Sequence, residues 1–405
     1  MKKKLNIENK IWKFIDKHPY SLYFFLVTLF SLIVRIVLIK YPSGDYDMFL
    51  KPWFNELKIN GGILALSMNI GNYTPIYMTI LSLLTYLPVD SLVSIKIVSL
   101  AFDYLGGIYL IKIILELLKN KKYNKKIAFI IYSIYLFLPT VILNAAYWAQ
   151  SDSIYTCFVL ISIYYLIKKD FIKGIIFWSI ALSFKFQAIF IFPLFVLLYI
   201  SDRKIKFKYF LIIPLVIFIL SLPKAIASHD LLTGFKIYFN QAGTYDNYLT
   251  LNLPNAYSIY LKGYDSNNPN LINSPLKEMS TIGIVSTLTI FMIIAFFVYE
   301  KKIKFDKKMI IDFGLWSILI CTFFLPRMHE RYLFMGDVIG LLYLINNRKK
   351  YYIPIIIELI SLNGYMYLLF SGFAVNISLL SILYLIMLII YSRDMYLEYF
   401  SGDKE

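Results

Sequence analysis

Long apolar runs recur along almost the whole chain and constrain the fold more than any other feature of the sequence. They extend from residue 20 to residue 391, and most approach or exceed the roughly 18 residues that a helix needs to cross a bilayer. Charged residues make up only 16% of the chain, compared with roughly 25% in soluble domains. A soluble core does not require so many apolar runs, so the sequence predicts an all-α, polytopic membrane protein.

About twelve of these runs are predicted to be transmembrane helices. They cover residues 20–39, 92–118, 127–143, 153–167, 172–184, 186–200, 209–222, 281–299, 309–325, 332–345, 352–368 and 375–391. The first run follows six lysines and precedes no evident small-residue cleavage site, so we expect a retained span rather than a signal peptide. Residues 74–88 are apolar but short, so we predict that they form a juxtamembrane helix in the first outer loop.

The distribution of basic residues orients this set of helices. Segments assigned to the cytoplasm contain 28 Lys and Arg residues, whereas segments assigned to the outside contain 10. This bias follows the positive-inside rule and predicts a multi-pass cell-membrane protein with both termini in the cytoplasm. Although the net charge is +16, the basic residues lie in short clusters between apolar runs rather than in one stripe. We therefore expect the lipid bilayer, and no nucleic acid, as a partner.

Polar and ionisable residues gather in four of the predicted outer segments, at or near membrane depth, where they are costly and often functional. The four groups are Asp45 and Asp47; Trp148, Gln150 and Asp152; Lys185 and Gln187; and Arg327, His329, Glu330 and Arg331.

Carboxylates together with Lys, Arg and His at a membrane surface suit the transfer of a group from a lipid phosphate. A leaving phosphate is stabilised by cations, and Arg binds it through two hydrogen bonds. The attacking hydroxyl needs a base, and a carboxylate is the natural candidate. The sequence contains no phosphate-binding glycine motif of the nucleotide-binding kind and no cytoplasmic segment long enough to fold alone. A donor delivered through the membrane is therefore the simpler choice.

Each group also has a structural interpretation. Asp45 and Asp47 can be interfacial loop acids, Asp152 can cap the helix that follows it, and Lys185 can extend toward the lipid headgroups. The Arg-rich turn can anchor headgroups. Ionisable residues inside the predicted spans are interpreted mainly as packing partners, and these are Asp103, Asp337 and Glu358.

At these residues the sequence resembles a membrane glycosyltransferase of the GT-C superfamily, similar to bacterial relatives of the second mannosyltransferase of GPI-anchor synthesis. The matching features occur in the family's order and together cover most of the chain. They are SGDYDMFLKPWFNELKINGG (43–62), NYTPIY (72–77), YWAQSDSIY (147–155), FKFQA (184–188), LNLPNAY (251–257) and LPRMHERYLF (325–334).

The resemblance implies roles for several of these residues. Asp45 matches the acid that acts on the acceptor hydroxyl, and Asp47 is kept as the second catalytic candidate. Lys185 and Gln187 match a Lys-x-Gln element near the donor phosphate, and Asp152 matches a second acid near the site. His329, Glu330 and Arg331 match a His-Glu-Arg-Tyr element, to which the resemblance assigns no exact role. We predict that Trp148, Gln150 and Glu330 lie with Asp152 on the acceptor side, and that Arg327, His329 and Arg331 bind the donor phosphate.

The resemblance also implies a GT-C-like fold in a single membrane domain, residues 1–405. Within it, residues 1–222 form a catalytic module with the outer loop 40–91, residues 223–280 form a second outer loop, and residues 281–405 form a C-terminal helical region. Some superfamily members bind a divalent metal through acids of this kind, so Mg²⁺ or Mn²⁺ is a candidate cofactor, although no ligand spacing here requires one.

The sequence therefore predicts an inverting glycosyltransferase, similar to the mannosyltransferases. It would move a hexose from a polyprenyl-phosphate-linked donor to a glycan or glycolipid acceptor outside the membrane. A transporter or flippase for lipid-linked sugars is the first alternative, but it would be expected to have two similar halves, which the sequence does not show. A cell-surface polysaccharide polymerase or ligase is the second alternative, and a purely structural membrane protein is the third.

Overall fold

The part of the chain that the structure describes is mainly helical and contains two strands of two residues each. A computed structural model describes residues 2–243, 248–260, 276–371 and 375–401. A helix satisfies its own backbone hydrogen bonds, as an apolar surrounding requires. The all-α prediction is confirmed for the described residues.

Six described helices are long and apolar enough to cross a membrane. They are Pro19–Leu38, Ser91–Leu117, Phe207–Ala227, Lys277–Glu300, Arg348–Phe370 and Ile377–Tyr399. A seventh span results if the bent pair Asn124–Phe137 and Pro139–Tyr147 counts as one. The chain is therefore a polytopic α-helical membrane protein.

Five further predicted spans also form helices, but these are shorter or carry more charge. The helices are Asp152–Ile167, Phe171–Phe184, Phe186–Ser201, Lys307–Phe324 and Phe334–Asn346. Most of their residues face protein rather than lipid; every residue from Met309 to Phe323, for example, is buried. Because protein surrounds them, length and hydropathy alone do not define how they cross the bilayer, and the count of twelve stays a prediction.

The other elements are shorter helices, turns and strands that precede, connect or form part of the long helices. The α-helices are Lys2–Lys17, Lys51–Ile59, Pro75–Leu84, Thr233–Gly243 and Ala256–Tyr260, and the strands are Thr250–Leu251 and Met328–His329. Tighter 3₁₀ turns occupy Gly62–Ser67, Phe186–Ile191, Phe207–Leu211 and Arg348–Lys350, and wider π-helical turns occupy Tyr46–Leu50 and Leu143–Tyr147. Two helices therefore lie within the predicted outer loop 40–91, including the one expected at 74–88. Part of the predicted loop 223–280 lies outside the described residues.

Contacts between segments show which of the predicted loops lie at the same end of the helix bundle. Near one end, Glu116 pairs with Lys168 at 3.1 Å and with Lys307 at 2.7 Å, and Lys350 pairs with Asp394 at 2.9 Å. All of these residues lie in or beside segments predicted to be cytoplasmic. The predicted outer segments meet at the opposite end, so the grouping agrees with the predicted topology, while the side that faces the cytoplasm stays a prediction.

The bent helix pair has its break at Pro139, which has no N–H to donate. The two halves meet at 54°. In a continuous helix the N–H of Thr140 would bond the carbonyl of Leu136. Here the Thr140 N–H and hydroxyl both donate to the Glu358 carboxylate, at 3.2 and 2.8 Å, and the Leu136 carbonyl accepts from Arg35 at 3.0 Å. Two ionisable side chains from other helices thus satisfy the backbone groups that the break exposes.

We predict that Glu358→Leu destabilises the protein by about 1–3 kcal/mol, because it leaves two buried donors of Thr140 without an acceptor. Glu358→Gln keeps one oxygen acceptor and should lose less. Thermal unfolding in detergent measures both variants. If Glu358→Leu unfolds at the wild-type temperature, the carboxylate does not stabilise the break.

The predicted orientation can be tested with single introduced cysteines. Met48 is exposed in the first outer loop, and Lys121 is exposed at the opposite end. Both native cysteines, Cys157 and Cys321, are buried and should not react. We predict that a membrane-impermeant maleimide labels Met48→Cys in intact cells, and that Lys121→Cys is labelled only after lysis. The reverse pattern would overturn the orientation.

Candidate functional site

The carboxylate of Asp45 is oriented by two side chains of a distant segment. Trp148 Nε1 and Gln150 Nε2 both donate to its Oδ2, at 2.9 and 2.8 Å. Ser43 holds the two segments together by donating to the Trp148 carbonyl at 2.6 Å. No hydrogen bond from the described residues reaches Oδ1, and Asp45 remains partly exposed. A Cβ added at Gly44 would meet nothing within 4 Å, so open space adjoins this acid.

The segment that holds Asp45 has an unusual backbone. Leu143–Tyr147 forms a π-helical turn, and Ala149 follows with a φ of +68°. A positive φ is uncommon for a residue with a Cβ. It occurs at the residue between Trp148 and Gln150, the two donors to Asp45. Strain of this kind clusters at functional sites, which supports a functional role for this turn.

Asp152 is fully buried at the centre of the polar cluster. Lys185 Nζ donates to its Oδ1 at 2.6 Å, Asn144 Nδ2 donates to its Oδ2 at 2.9 Å, and Arg331 Nε lies 3.8 Å from Oδ2. Ser151, not Asp152, is the N-cap of the following helix, and no side chain makes a capping bond there. Lys185 is also buried rather than extended toward headgroups. The simple capping and headgroup interpretations of these two residues are therefore wrong.

The turn after the Lys307–Phe324 helix brings Arg331 into the cluster. Met328 and His329 pair in parallel with Thr250 and Leu251, which fixes the start of the turn. Arg331 then donates to the Glu330 carboxylate at 2.9 Å.

The Arg331 guanidinium also links the two acids of the cluster. Its central carbon lies 5.4 Å from the centre of the Trp148 ring, a cation–π distance. Arg331 therefore touches both the side chain that orients Asp45 and the buried Asp152 carboxylate.

Burial and neighbouring charges shift the pKa values of Lys185, His329 and Glu330. Burial lowers the pKa of Lys185 to about 8, although the Asp152 carboxylate opposes the shift. Burial also lowers the pKa of His329, so its neutral form is favoured. For Glu330, burial opposes ionisation, but the neighbouring His329 and Arg331 outweigh it, and the pKa is lowered. The cluster thus favours a charged Glu330 carboxylate beside a neutral His329.

Two predicted site residues, Asp47 and Gln187, make no hydrogen bond to the cluster within the described part of the chain. Asp47 is exposed and pairs with Lys51 at 3.5 Å. Gln187 is buried, and its Oε1 accepts no hydrogen bond from the described residues. Arg327 has a φ of +63°, and its N–H donates to the Leu249 carbonyl at 2.8 Å.

Sequence reasoning missed four residues that support the cluster. Asn144 donates to both Asp152 and the Tyr365 hydroxyl, and the Tyr365 ring packs edge-on against Trp148 at 5.0 Å. Tyr73 donates to Gln150 at 3.4 Å, and Ser43 fixes the Trp148 carbonyl. Ser43 and Tyr73 lie inside motifs that the sequence singled out, and Asn144 lies just before one. No pattern predicts that Tyr365, far along the chain, would meet them.

Among the described residues, no three His, Cys, Asp or Glu side chains come close enough to hold a metal ion. Within this part of the chain, the donor set does not fit a divalent metal centre.

We predict that Lys185→Met destabilises the fold by about 3–5 kcal/mol, because it leaves the buried Asp152 carboxylate without its closest counter-charge. The double variant Asp152→Asn, Lys185→Met removes both charges and should recover part of that loss. A double-mutant cycle of thermal unfolding measures the coupling. Additive effects would show that the two groups do not interact.

Comparison with known proteins adds no family assignment. No protein-family model matches the chain, and no curated protein matches it.

Proposed function

We propose that this chain is a GT-C-like membrane glycosyltransferase with about twelve spans. It moves a hexose from a polyprenyl-phosphate-linked donor to a glycan or glycolipid acceptor at the outer face of the cell membrane. One observation carries the proposal: Asp45 is oriented but partly exposed, and the residue that orients it, Trp148, lies under the Arg331 guanidinium. A carboxylate and a cation are thus presented together at one end of a membrane bundle.

Asp45 is the better base of the two central acids. Both oxygens of Asp152 are engaged, one by Lys185 and one by Asn144, in a fully buried position. Asp45 has both of its bonds on Oδ2, and this leaves Oδ1 to accept a proton. Hydrogen bonds from Trp148 and Gln150 fix its direction, as a general base requires.

The proposed step is a single displacement. Asp45 takes the proton of an acceptor hydroxyl as its oxygen forms a bond to the anomeric carbon. The bond from that carbon to the phosphate oxygen breaks, and the phosphate leaves with the electron pair. Attack from the face opposite the leaving group inverts the anomeric configuration.

Arg331 and Lys185 are the cations available to the leaving phosphate. Arg331 uses one terminal nitrogen for Glu330, while its Nε lies too far from Asp152 for a hydrogen bond. Because Nε is buried beside the Asp152 carboxylate, we assign the other terminal nitrogen of Arg331 to a phosphate oxygen. Lys185 is paired with Asp152, so in this proposal it sets the local positive potential and holds the buried acid.

Sugar transfer by the purified protein tests the proposal. Wild-type protein in detergent would be given a panel of polyprenyl-phosphoryl hexoses and a cell-envelope glycan or glycolipid acceptor. We predict that Asp45→Asn lowers the transfer rate about 10²–10⁴-fold, the usual contribution of a general base. The asparagine oxygen can still accept from Trp148 and Gln150, so the fold should be preserved.

Asp47→Asn is the matched control, because it makes the same change two residues away at an exposed acid. We expect its rate to stay within a few-fold of wild type. If Asp47→Asn loses activity and Asp45→Asn keeps it, the assignment of the base is wrong. Movement of the lipid across vesicles without any sugar transfer would favour the transporter instead.

A further inference from the structure

A second polar region lies at the end of the bundle opposite Asp45, and the proposed transfer reaction does not use it. A cavity of about 780 Å³ opens there between two chain segments far apart in sequence. Its lining comes from the end of the Ser91–Leu117 helix and the start of the Asn124–Phe137 helix on one side. On the other side it comes from the residues that follow Phe334–Asn346.

Five cations line this cavity, and one of them, Lys350, pairs with Asp394 at 2.9 Å. The other four are Lys121, Lys122, Arg348 and Lys349. All four are exposed, and no carboxylate of the described residues pairs with any of them. Glu398 also lines the cavity, but it already pairs with Lys308. The cavity therefore has an excess of positive charge, because its one lining carboxylate is paired with a cation outside it.

Neutral groups in the same cavity suit a phosphate ester. The Asn346 side-chain nitrogen is buried and has no hydrogen-bond acceptor among the described residues. A buried donor without a partner is costly, and a bound acceptor would remove that cost. Tyr123 lines the rim with 62% of its surface exposed.

The walls of the cavity favour a lipid over a free anion. Leu118, Ile127 and Ile345 line it beside the cations, at the ends of apolar helices. A ligand with a phosphate and an acyl chain can satisfy both surfaces at once. Basic pockets between helices on the cytoplasmic side bind acidic lipid headgroups in this way.

We propose that this cavity binds the phosphate headgroup of an anionic phospholipid, held by Lys121, Lys122, Arg348 and Lys349 with Asn346 as a neutral donor. The bound lipid bridges the 118–127 and 345–350 segments and stabilises the bundle.

The stability of the purified, full-length protein in lipid nanodiscs tests the proposal, with phosphatidylglycerol compared against phosphatidylcholine. A ligand that binds only the folded state raises the unfolding temperature. We expect phosphatidylglycerol to raise it for wild-type protein and most of that rise to disappear in the variant Lys121→Gln, Lys122→Gln, Arg348→Gln, Lys349→Gln. A separate arm adds inorganic phosphate to detergent-solubilised protein, where we expect no comparable rise.

A matched control separates a built site from general surface charge. Arg203, Lys204, Lys206 and Lys208 are also four exposed cations on the predicted cytoplasmic side, but they do not line the cavity. Their replacement by glutamine should leave the phosphatidylglycerol effect largely intact. Equal losses in both quadruple variants would overturn the proposal in favour of nonspecific attraction.

Asn346→Leu provides a test that changes no charge. It should reduce the phosphatidylglycerol effect while the unfolding temperature in phosphatidylcholine stays equal to or above that of wild type. An unchanged lipid effect would overturn the role of Asn346. A rise with inorganic phosphate alone, and none with phosphatidylglycerol, would overturn the lipid assignment.

Discussion

The buried carboxylate of Asp152 is the constraint on which the polar end of the bundle depends. A charge with no exposure to solvent is costly unless it is paired and hydrogen-bonded. Its two oxygens bind Lys185 and Asn144, and Arg331 lies nearby. These partners come from three separate segments, so satisfying one charge brings three parts of the chain together. Asp45 joins the same end through Trp148 and Gln150.

The two acids have opposite environments, and this difference divides their roles. Asp152 is enclosed and fully occupied, which suits a group that organises others. Asp45 is fixed through one oxygen and lies next to open space at Gly44. The same residue type thus serves as an internal support in one place and as a reactive group at the entrance in our proposal.

The sequence predicted the helical, polytopic character of the chain and the side of the membrane shared by several site residues, for identifiable reasons. Apolar runs predict helices because a bilayer permits little else. Charge bias then places residues 45, 148–152, 185 and 329–331 together, and contacts in the structure agree with that grouping. The outward position of Asp47 was not predictable, because two acids separated by one residue look equivalent until the backbone turn is known.

The side chains that complete the hydrogen bonds at the helix break could not be predicted from the sequence either. Pro139 marks a break, but nothing local indicates that Arg35 and Glu358 complete its hydrogen bonds. Which side chains meet at the break depends on how the helices pack, and that packing depends on many apolar contacts together. The span count likewise depends on helix length, because four of the buried helices are apolar but shorter than a full span.

The same break has a consequence for how the protein is made. Thr140 and Glu358 are 218 residues apart, and Asn144 and Tyr365 are 221 apart. A ribosome therefore delivers the exposed backbone of the break and the polar segment beside it long before their partners exist. At synthesis rates of about 5–20 residues per second, this interval lasts on the order of 10–40 seconds. Until then, the Thr140 N–H and the Asn144 side chain need other hydrogen-bond partners, such as water, the insertion machinery or the backbone of a straighter helix. The packing of the C-terminal helices against the bent pair is therefore a late event in assembly.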